Sequence, residues 1–348
     1  MVREMRMYTK QPKKLLILYI MEIFQKYTDE NHRLSQKEIG DILEKEYDMQ
    51  VERKAIKRNI MDLIEADWNI GYTEVPRKGG PVLTDFYLKQ KFTYEELRML
   101  IDSLLFSRHI PYHFVKELIG KLESLSNVYF HSHVQHIHPL PEDRSKNKDI
   151  FLNIGLLDEA IHFNKKVSFE YMEYGTDKEL HSKRTADGSV RIYIVTPYQM
   201  AAKDGKYYLI CNYDKYNDIS NYRVDRIRNI QILEESGKPF ESLEGTNGQR
   251  LNLTEYMNEH IYMYSSSNSY VKLRIVKPMI SDVIDLFGKN VQFYDESETH
   301  ISVRVRVNER SILQFAKNFA PDVVILSPER LRNQMRLELE SALQAYKE

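Results

Sequence analysis

Two arginines three residues apart, Arg223 and Arg226, follow a run in which tyrosine recurs, Lys206-Tyr207-Tyr208-Leu209-Ile210-Cys211-Asn212-Tyr213-Asp214. Guanidinium forks bind phosphate oxygens two at a time, and phenol rings offer flat faces for stacking. A small sheet rich in Tyr and punctuated by Arg therefore suits a flat or anionic ligand. Arg223 and Arg226 are the candidate anion contacts, with Asp225 between them pointing elsewhere, into a structural ion pair. Replacing either arginine is expected to abolish the response to a ligand and leave the fold intact. Tyr171, Tyr193, Tyr198, Tyr208 and Tyr213 are the candidate stacking or hydroxyl contacts, although Tyr is favoured on strand faces for packing alone.

A second constellation lies near the start of the chain. Arg53, Lys54, Lys57 and Arg58 share one side of a helical pattern whose other side is Ile56, Ile60, Leu63 and Ile64. Cations so arranged can follow a phosphate backbone while neighbouring side chains reach base edges. Arg77 and Lys78, in a Gly-rich turn, and Gln36, at the start of the preceding helix, complete the candidate DNA contacts. His131, His133, His136 and His138 run up to Pro139 and Pro141 with no Cys and no acidic residue at a ligand spacing, so a polar linker, or a contact to a partner or nucleic acid, fits them better than zinc.

These residues need elements to hold them. Residues 13 to 27 read as an amphipathic helix ended by Asp29-Glu30-Asn31-His32. Ser35 and Glu38 form a capping box opening a second helix, and a third runs from about Val51 to Glu65. Residues 70–75 and 82–88 read as a hairpin around Pro76-Arg77-Lys78-Gly79-Gly80. Three helices, a basic third face and that hairpin form a winged helix-turn-helix over 1–90. Helices carrying Leu97, Leu100, Ile101, Leu104 and Leu105, then Val115, Leu118, Ile119 and Leu122, make a connector over 91–148. Their stripe serves packing within the chain or against a second subunit. A helix from about Asp149 to Asn164 leads to strands alternating with period two through 149–235. Residues 236–268, rich in Gly, Ser and Asn, read as a linker with a short helix at Thr254 to Tyr262. From 269 to 348 the order is β-α-β-β-α-β and a terminal helix, that of a ferredoxin-like sandwich.

The stretch from Tyr193 to Ile227 resembles the signature of the WYL domain, an SH3-like or Sm-like small β-barrel of bacterial regulators. The Trp-Tyr-Leu that names the family stands here as Tyr207-Tyr208-Leu209, with Tyr at the first position. Arg223-Val224-Asp225-Arg226-Ile227 is similar to its second stretch, and a strand with Pro197-Tyr198 precedes both. The front segment resembles a DeoR-type winged helix, with Val51-Glu52-Arg53-Lys54-Ala55-Ile56-Lys57-Arg58-Asn59-Ile60 in the third helix. Glu52 and Ala55 stand where that family has Ser and Thr, so its site sequence does not carry over. The resemblance implies sensing of a nucleotide or single-stranded nucleic acid by the barrel. It also covers the ferredoxin-like extension, and hence essentially the whole chain.

With 50 basic and 51 acidic side chains, overall charge says nothing for nucleic acid, and any basic site must be local. A single cysteine, Cys211, excludes an internal disulfide framework. No secretory leader or membrane-length apolar run is read, which places the protein in the cytoplasm. No phosphate loop, His-Glu-x-x-His pair or nucleophile elbow is present, so the expectation is a regulator and not an enzyme, without cofactor or metal. The fold expected is α+β and multidomain. The function expected is a homodimeric, ligand-responsive transcriptional regulator that binds an operator duplex. The alternative is an RNA-binding accessory protein of a phage-defence system, with the barrel as its main nucleic-acid surface.

Overall fold

Leu16, Ile20, Ile23 and Phe24 recur at helical spacing, and in the computed structural model they form the buried stripe of α1 (Leu16–Tyr27). The structure describes residues 13–78, 80–107, 109–130, 147–244, 246 and 248–347. It divides into two units, 1–144 and 145–348. The four histidines at 131–138 lie outside the described residues. The architecture is mixed α+β with antiparallel sheets, and no described helix is long and apolar enough to cross a membrane.

In the first unit, α2 (Gln36–Tyr47) opens with the expected capping box. The Glu38 N–H donates to Ser35 Oγ at 3.3 Å, and the Ser35 N–H donates to Glu38 Oε2 at 2.7 Å. Asp48 then turns left-handed at φ 53°, ending the helix before α3 (Arg53–Glu65). Ile39, Leu43, Ile56 and Ile60 close a core with the α1 stripe. β1 (Ile70–Val75) and β2 (Val82–Leu88) pair antiparallel, and Phe86 of β2 enters that core while bridging to Leu34. Gly71 faces Tyr87 across the hairpin, and a Cβ there would meet the end of the tyrosine ring, which would have to swing aside. α4 (Tyr94–Phe106) and α5 (Tyr112–Glu123) follow, and Leu97, Ile101, Leu105 and Val115 are buried within the chain while Leu100 is exposed.

A buried carboxylate ties these elements together. Asp29 Oδ2 accepts from the Tyr94 hydroxyl and the Asn127 amide, each at 2.7 Å, and Oδ1 accepts the Asn31 and His32 N–H groups at 2.7 Å. Beside it, Thr28 Oγ1 accepts the Leu88 N–H from the end of β2 at 2.9 Å. The stretch that reads as a mere helix breaker is thus where α1, the hairpin and α4 meet.

In the second unit, α6 (Ile150–His162) packs on a sheet of β3 (Lys165–Tyr174), β4 (Leu180–Ser182), β5 (Ile192–Lys203), β6 (Lys206–Tyr213), β7 (Ser220–Arg223) and β8 (Ile227–Ser236). The order is β4-β3-β5-β6-β7, with β8 also paired to β3. The alternation of β6 holds: Tyr207, Leu209, Cys211 and Tyr213 pack with α6, while Tyr208 and Ile210 face a second cluster. That cluster is completed by Tyr256 and Met263, around α7 (Leu253–Glu259). Residues 236–268 are therefore not a plain linker, because two buried apolar anchors outweigh their polar composition.

The chain ends in β9 (Asn268–Val276), α8 (Ile280–Phe287), β10 (Gln292–Tyr294), β11 (His300–Asn308), α9 (Glu309–Asn318), β12 (Val323–Ser327) and α10 (Glu329–Ala345). The four strands form one antiparallel sheet in the order β10-β11-β9-β12. Val271, Leu273, Ile275, Val303, Val305 and Val307 point to one side, against Val283, Phe287, Ile312, Phe315, Leu331 and Met335 of the three helices.

Candidate nucleic-acid interface and ligand site

The inner side of α3 is fixed by Ile56, Ile60 and Leu63, all within a few per cent of full burial. Helical periodicity then forces Arg53, Lys54, Lys57 and Arg58 outward, and all four are exposed. Arg77 and Lys78, at the hairpin tip, are exposed too, and Gln36 is half-buried in the first turn of α2. None of the six cations has a carboxylate partner among the described residues. Their charge is therefore unneutralised by the protein and available to an external anion.

The Arg/Tyr constellation behaves differently. β7 ends at Arg223, and Val224–Arg226 is a 3-10 turn, so the two arginines do not share a strand. Asp225 does form a structural ion pair, but its partner is the neighbouring Arg223. Arg223 Nε donates to its Oδ1 at 3.0 Å and Nη2 to its Oδ2 at 2.7 Å, and Asp225 is 4% exposed. Burial disfavours the Arg223 charge, but the bond to Asp225 more than offsets it and raises its pKa. Arg223 thus holds a buried ion pair, with its best-placed donors taken. Arg226 is the freer of the two. It lies over the Tyr174 ring at 5.6 Å, and its Nε has no hydrogen-bond partner among the described residues.

The tyrosines divide in the same way. Tyr193 is 5% exposed and stacks on Phe169, so its ring is core and not an offered face. Tyr198 donates its hydroxyl to the Lys238 carbonyl at 3.0 Å and packs on Phe240. Tyr171 accepts the Arg223 N–H at 3.2 Å, and Tyr208 sits opposite Arg223 in the strand register. Tyr213 is half-buried at the edge of the cluster, against Tyr193 and Tyr216. Burial raises the pKa of Tyr171, Tyr193, Tyr198 and Tyr208, so these phenols stay neutral. The structure thus gathers Tyr171, Tyr208 and Arg223 on one part of the sheet, with Arg226 close in sequence on the adjoining turn, and takes Tyr198 away from them.

Arg191, which was not among the sequence candidates, lies beside two of these tyrosines. Its guanidinium lies 4.8 Å from the Tyr193 ring and 5.6 Å from the Tyr213 ring. The signal was available, since Arg191 stands two residues before Tyr193 at the entrance to β5 and so shares its face. A cleft of about 950 Å³ also lies in this unit, but it is lined by none of the seven predicted ligand contacts. Asp218, Glu244, Glu255 and Glu259 face it against Arg250 and Arg306. Burial pulls the His260 imidazole in its wall down to about 4, leaving it neutral at physiological pH. That acidic balance disfavours an anion, whereas Arg226 and Arg191 suit one.

The protein is thus a mixed α+β, multidomain chain, with an external basic helix in its first unit and a Tyr/Arg sheet in its second. Residues 153–232 match the family model of the WYL domain, so a WYL domain is present over under a quarter of the chain. No curated protein matches the chain. Among solved structures, it is similar to the proteasome accessory factor B/C (PafBC) of Arthrobacter aurescens, at 14% identity and a TM-score of 0.28. That likeness covers 100% of this chain and 51% of the other, so this chain spans about half its length. It is also similar to a CRISPR Cas-related protein, at 14% identity and a TM-score of 0.35, over 90% of this chain and 78% of that one.

Proposed function

We propose that the protein is a ligand-responsive transcriptional regulator, not an enzyme, whose front unit binds an operator duplex. Its WYL sheet senses a nucleotide or a single-stranded nucleic acid, and it acts in the cytoplasm as a homodimer. The observation that carries this reading is the array of four exposed, carboxylate-free cations on α3, with Arg77 and Lys78 at the hairpin tip beyond it. A chain of net charge −1 gains nothing from concentrating unpaired positive charge there unless an anion meets it. Three helices followed by a hairpin support a winged helix of DeoR type. The sharing of β3 by β4, β5 and β8 supports a small SH3-like or Sm-like barrel, and the order β10-β11-β9-β12 supports a ferredoxin-like sandwich.

Anisotropy titration against fragmented genomic duplex tests the front half. Replacing Arg53, Lys54 and Arg58 together by Ala should weaken duplex binding at least a hundredfold at fixed salt, and undiminished binding rejects it. For the sensing half, Arg226 is the anion contact of choice, flanked by Tyr171 and Tyr174. Preference for single-stranded RNA over every promoter duplex would favour the RNA-binding accessory reading instead.

A further inference from the structure

The helices α8, α9 and α10 cover one side of the C-terminal sheet, and the other side carries a different chemistry. Alternation sets Tyr270, Lys272 and Arg274 of β9 opposite the core residues Val271, Leu273 and Ile275, and all three are exposed. On β11 the same rule brings Arg304 and Arg306 to that side, and the register places Lys272 beside Arg304 and Tyr270 beside Arg306. The Arg304 guanidinium lies 4.9 Å from the Tyr270 ring centroid, and Lys272 Nζ lies 5.8 Å from that of Tyr294 on β10. The Tyr294 hydroxyl is buried with no hydrogen-bond partner among the described residues.

Charge decides what such a face is for. Lys272, Arg274 and Arg304 have no carboxylate partner among the described residues, while Arg306 is held by Glu259. Like charges side by side on adjacent strands destabilise a sheet, so this placement works against the fold unless something anionic lies over it. Rings interleaved with those cations narrow the anion to one with flat, unstacked groups. Aromatic residues on a four-stranded sheet stack exposed bases, which a duplex keeps inside its own helix. We propose that the open side of the C-terminal sheet binds single-stranded nucleic acid, with Lys272, Arg274 and Arg304 on the phosphates and a base against Tyr270. Tyr270 and Arg306 also line the neighbouring cleft, whose carboxylates, Glu255 and Glu259 among them, repel phosphate and bound the site on that side. This surface shares no residue with the α3 face or the Arg226 site, and the proposal stands or falls without them.

The test is anisotropy of labelled U12 and dT12 with the full chain and three variants, each first checked to melt as the wild type does. Lys272→Ala, Arg274→Ala and Arg304→Ala combined should weaken single-strand binding at least tenfold. It should also flatten the dependence of log K on log salt by about 2, as expected for three lost phosphate contacts. Tyr270→Leu alone should weaken it by about 5- to 150-fold, the loss of one stacked base. A difference between U12 and dT12 tells RNA from DNA as the natural strand. Arg226→Ala, run in parallel, reports on the WYL site: its failure to weaken binding while the triple variant does so leaves this proposal intact. Unchanged single-strand affinity of the triple variant overturns it. An equal loss against a 12-base-pair duplex also overturns it, because the face would then be only a general patch of charge.

Discussion

Arg223 and Arg226 are of one residue type and three positions apart, yet their surroundings give them different work. Arg223 holds Asp225, a carboxylate that is 4% exposed, through two hydrogen bonds. Removing one partner of such a pair leaves an uncompensated buried charge, which costs about 3–5 kcal/mol. Arg223→Ala should therefore lower the denaturation midpoint of the protein sharply, whatever it does to sensing. Arg226→Ala, which removes a half-buried side chain without a carboxylate partner among the described residues, should cost about 1 kcal/mol and abolish effector response while duplex binding without effector persists. Chemical denaturation of both variants, beside an effector titration, checks the pair. A stable Arg223→Ala protein would mean that Asp225 finds water or another donor once the guanidinium is gone.

Between elements, the decisive group is Asp29, because α1, the hairpin and α4 converge on it and its neighbour Thr28. Burial works against its charge, but bonds from Tyr94, His32 and Asn127 outweigh this and hold its carboxyl well below the usual range. A carboxylate whose folded pKa is depressed stabilises the fold above its unfolded pKa, near 4, and loses that contribution as pH falls through the folded value. Asp29→Ala should cost about 3 kcal/mol at pH 7 by taking the acceptor from the Asn31 and His32 N–H groups and from one Asn127 amide hydrogen, while the Tyr94 hydroxyl keeps Asn127 Oδ1. The deficit relative to wild type should shrink in strong acid, since protonation then removes what the mutation removed. Midpoints at pH 7 and pH 2 measure both. The α3 face belongs to this scale as well: its cations are useful only while Ile56, Ile60 and Leu63 hold the helix on the rest of the front unit.

For the whole molecule, near-neutral charge and local basic faces predict an unusual pairing of properties. Long-range attraction to DNA should be weak, yet specific binding should depend steeply on salt. If the six front-unit cations all meet phosphates, the slope of log K against log salt is about −5. A slope near zero would place the α3 face away from the duplex. His260 gives the second unit its own pH response. Its imidazole is 4% exposed, and Nδ1 lies 2.9 Å from the Tyr256 carbonyl. Burial lowers its pKa to about 4, so the unfolded chain takes up a proton first, and stability falls as pH drops from about 6.5 towards 4. The loss is on the order of 3 kcal/mol at most and flattens below that window. His260→Gln should remove this segment of the pH–stability curve, and an unchanged curve would show the imidazole to be solvated.

Period and capping made most of the elements legible in the chain alone. The capping box at Ser35, the α3 stripe and the alternation of β6 are local rules, satisfied by residues within a few positions of one another. The outward placement of Arg53, Lys54, Lys57 and Arg58 follows from the same periodicity. What residue order could not settle was the partner of each charge. Asp225 lies next to both arginines in sequence, and only the 3-10 turn that closes β7 aims it at Arg223. Asp29 reads as a helix breaker until Tyr94 and Asn127, far along the chain, arrive to donate to it. The anchors Tyr256 and Met263 sit in a stretch whose Gly, Ser and Asn content reads as linker, and their burial depends on Ala201 and Ile210 from strands folded elsewhere. The cation-bearing side of the C-terminal sheet exists only through the register that lays Arg304 beside Lys272. Short-range periodicity is written in the order of the residues, whereas the pairing of buried and opposed charges depends on contacts that close only when distant segments meet.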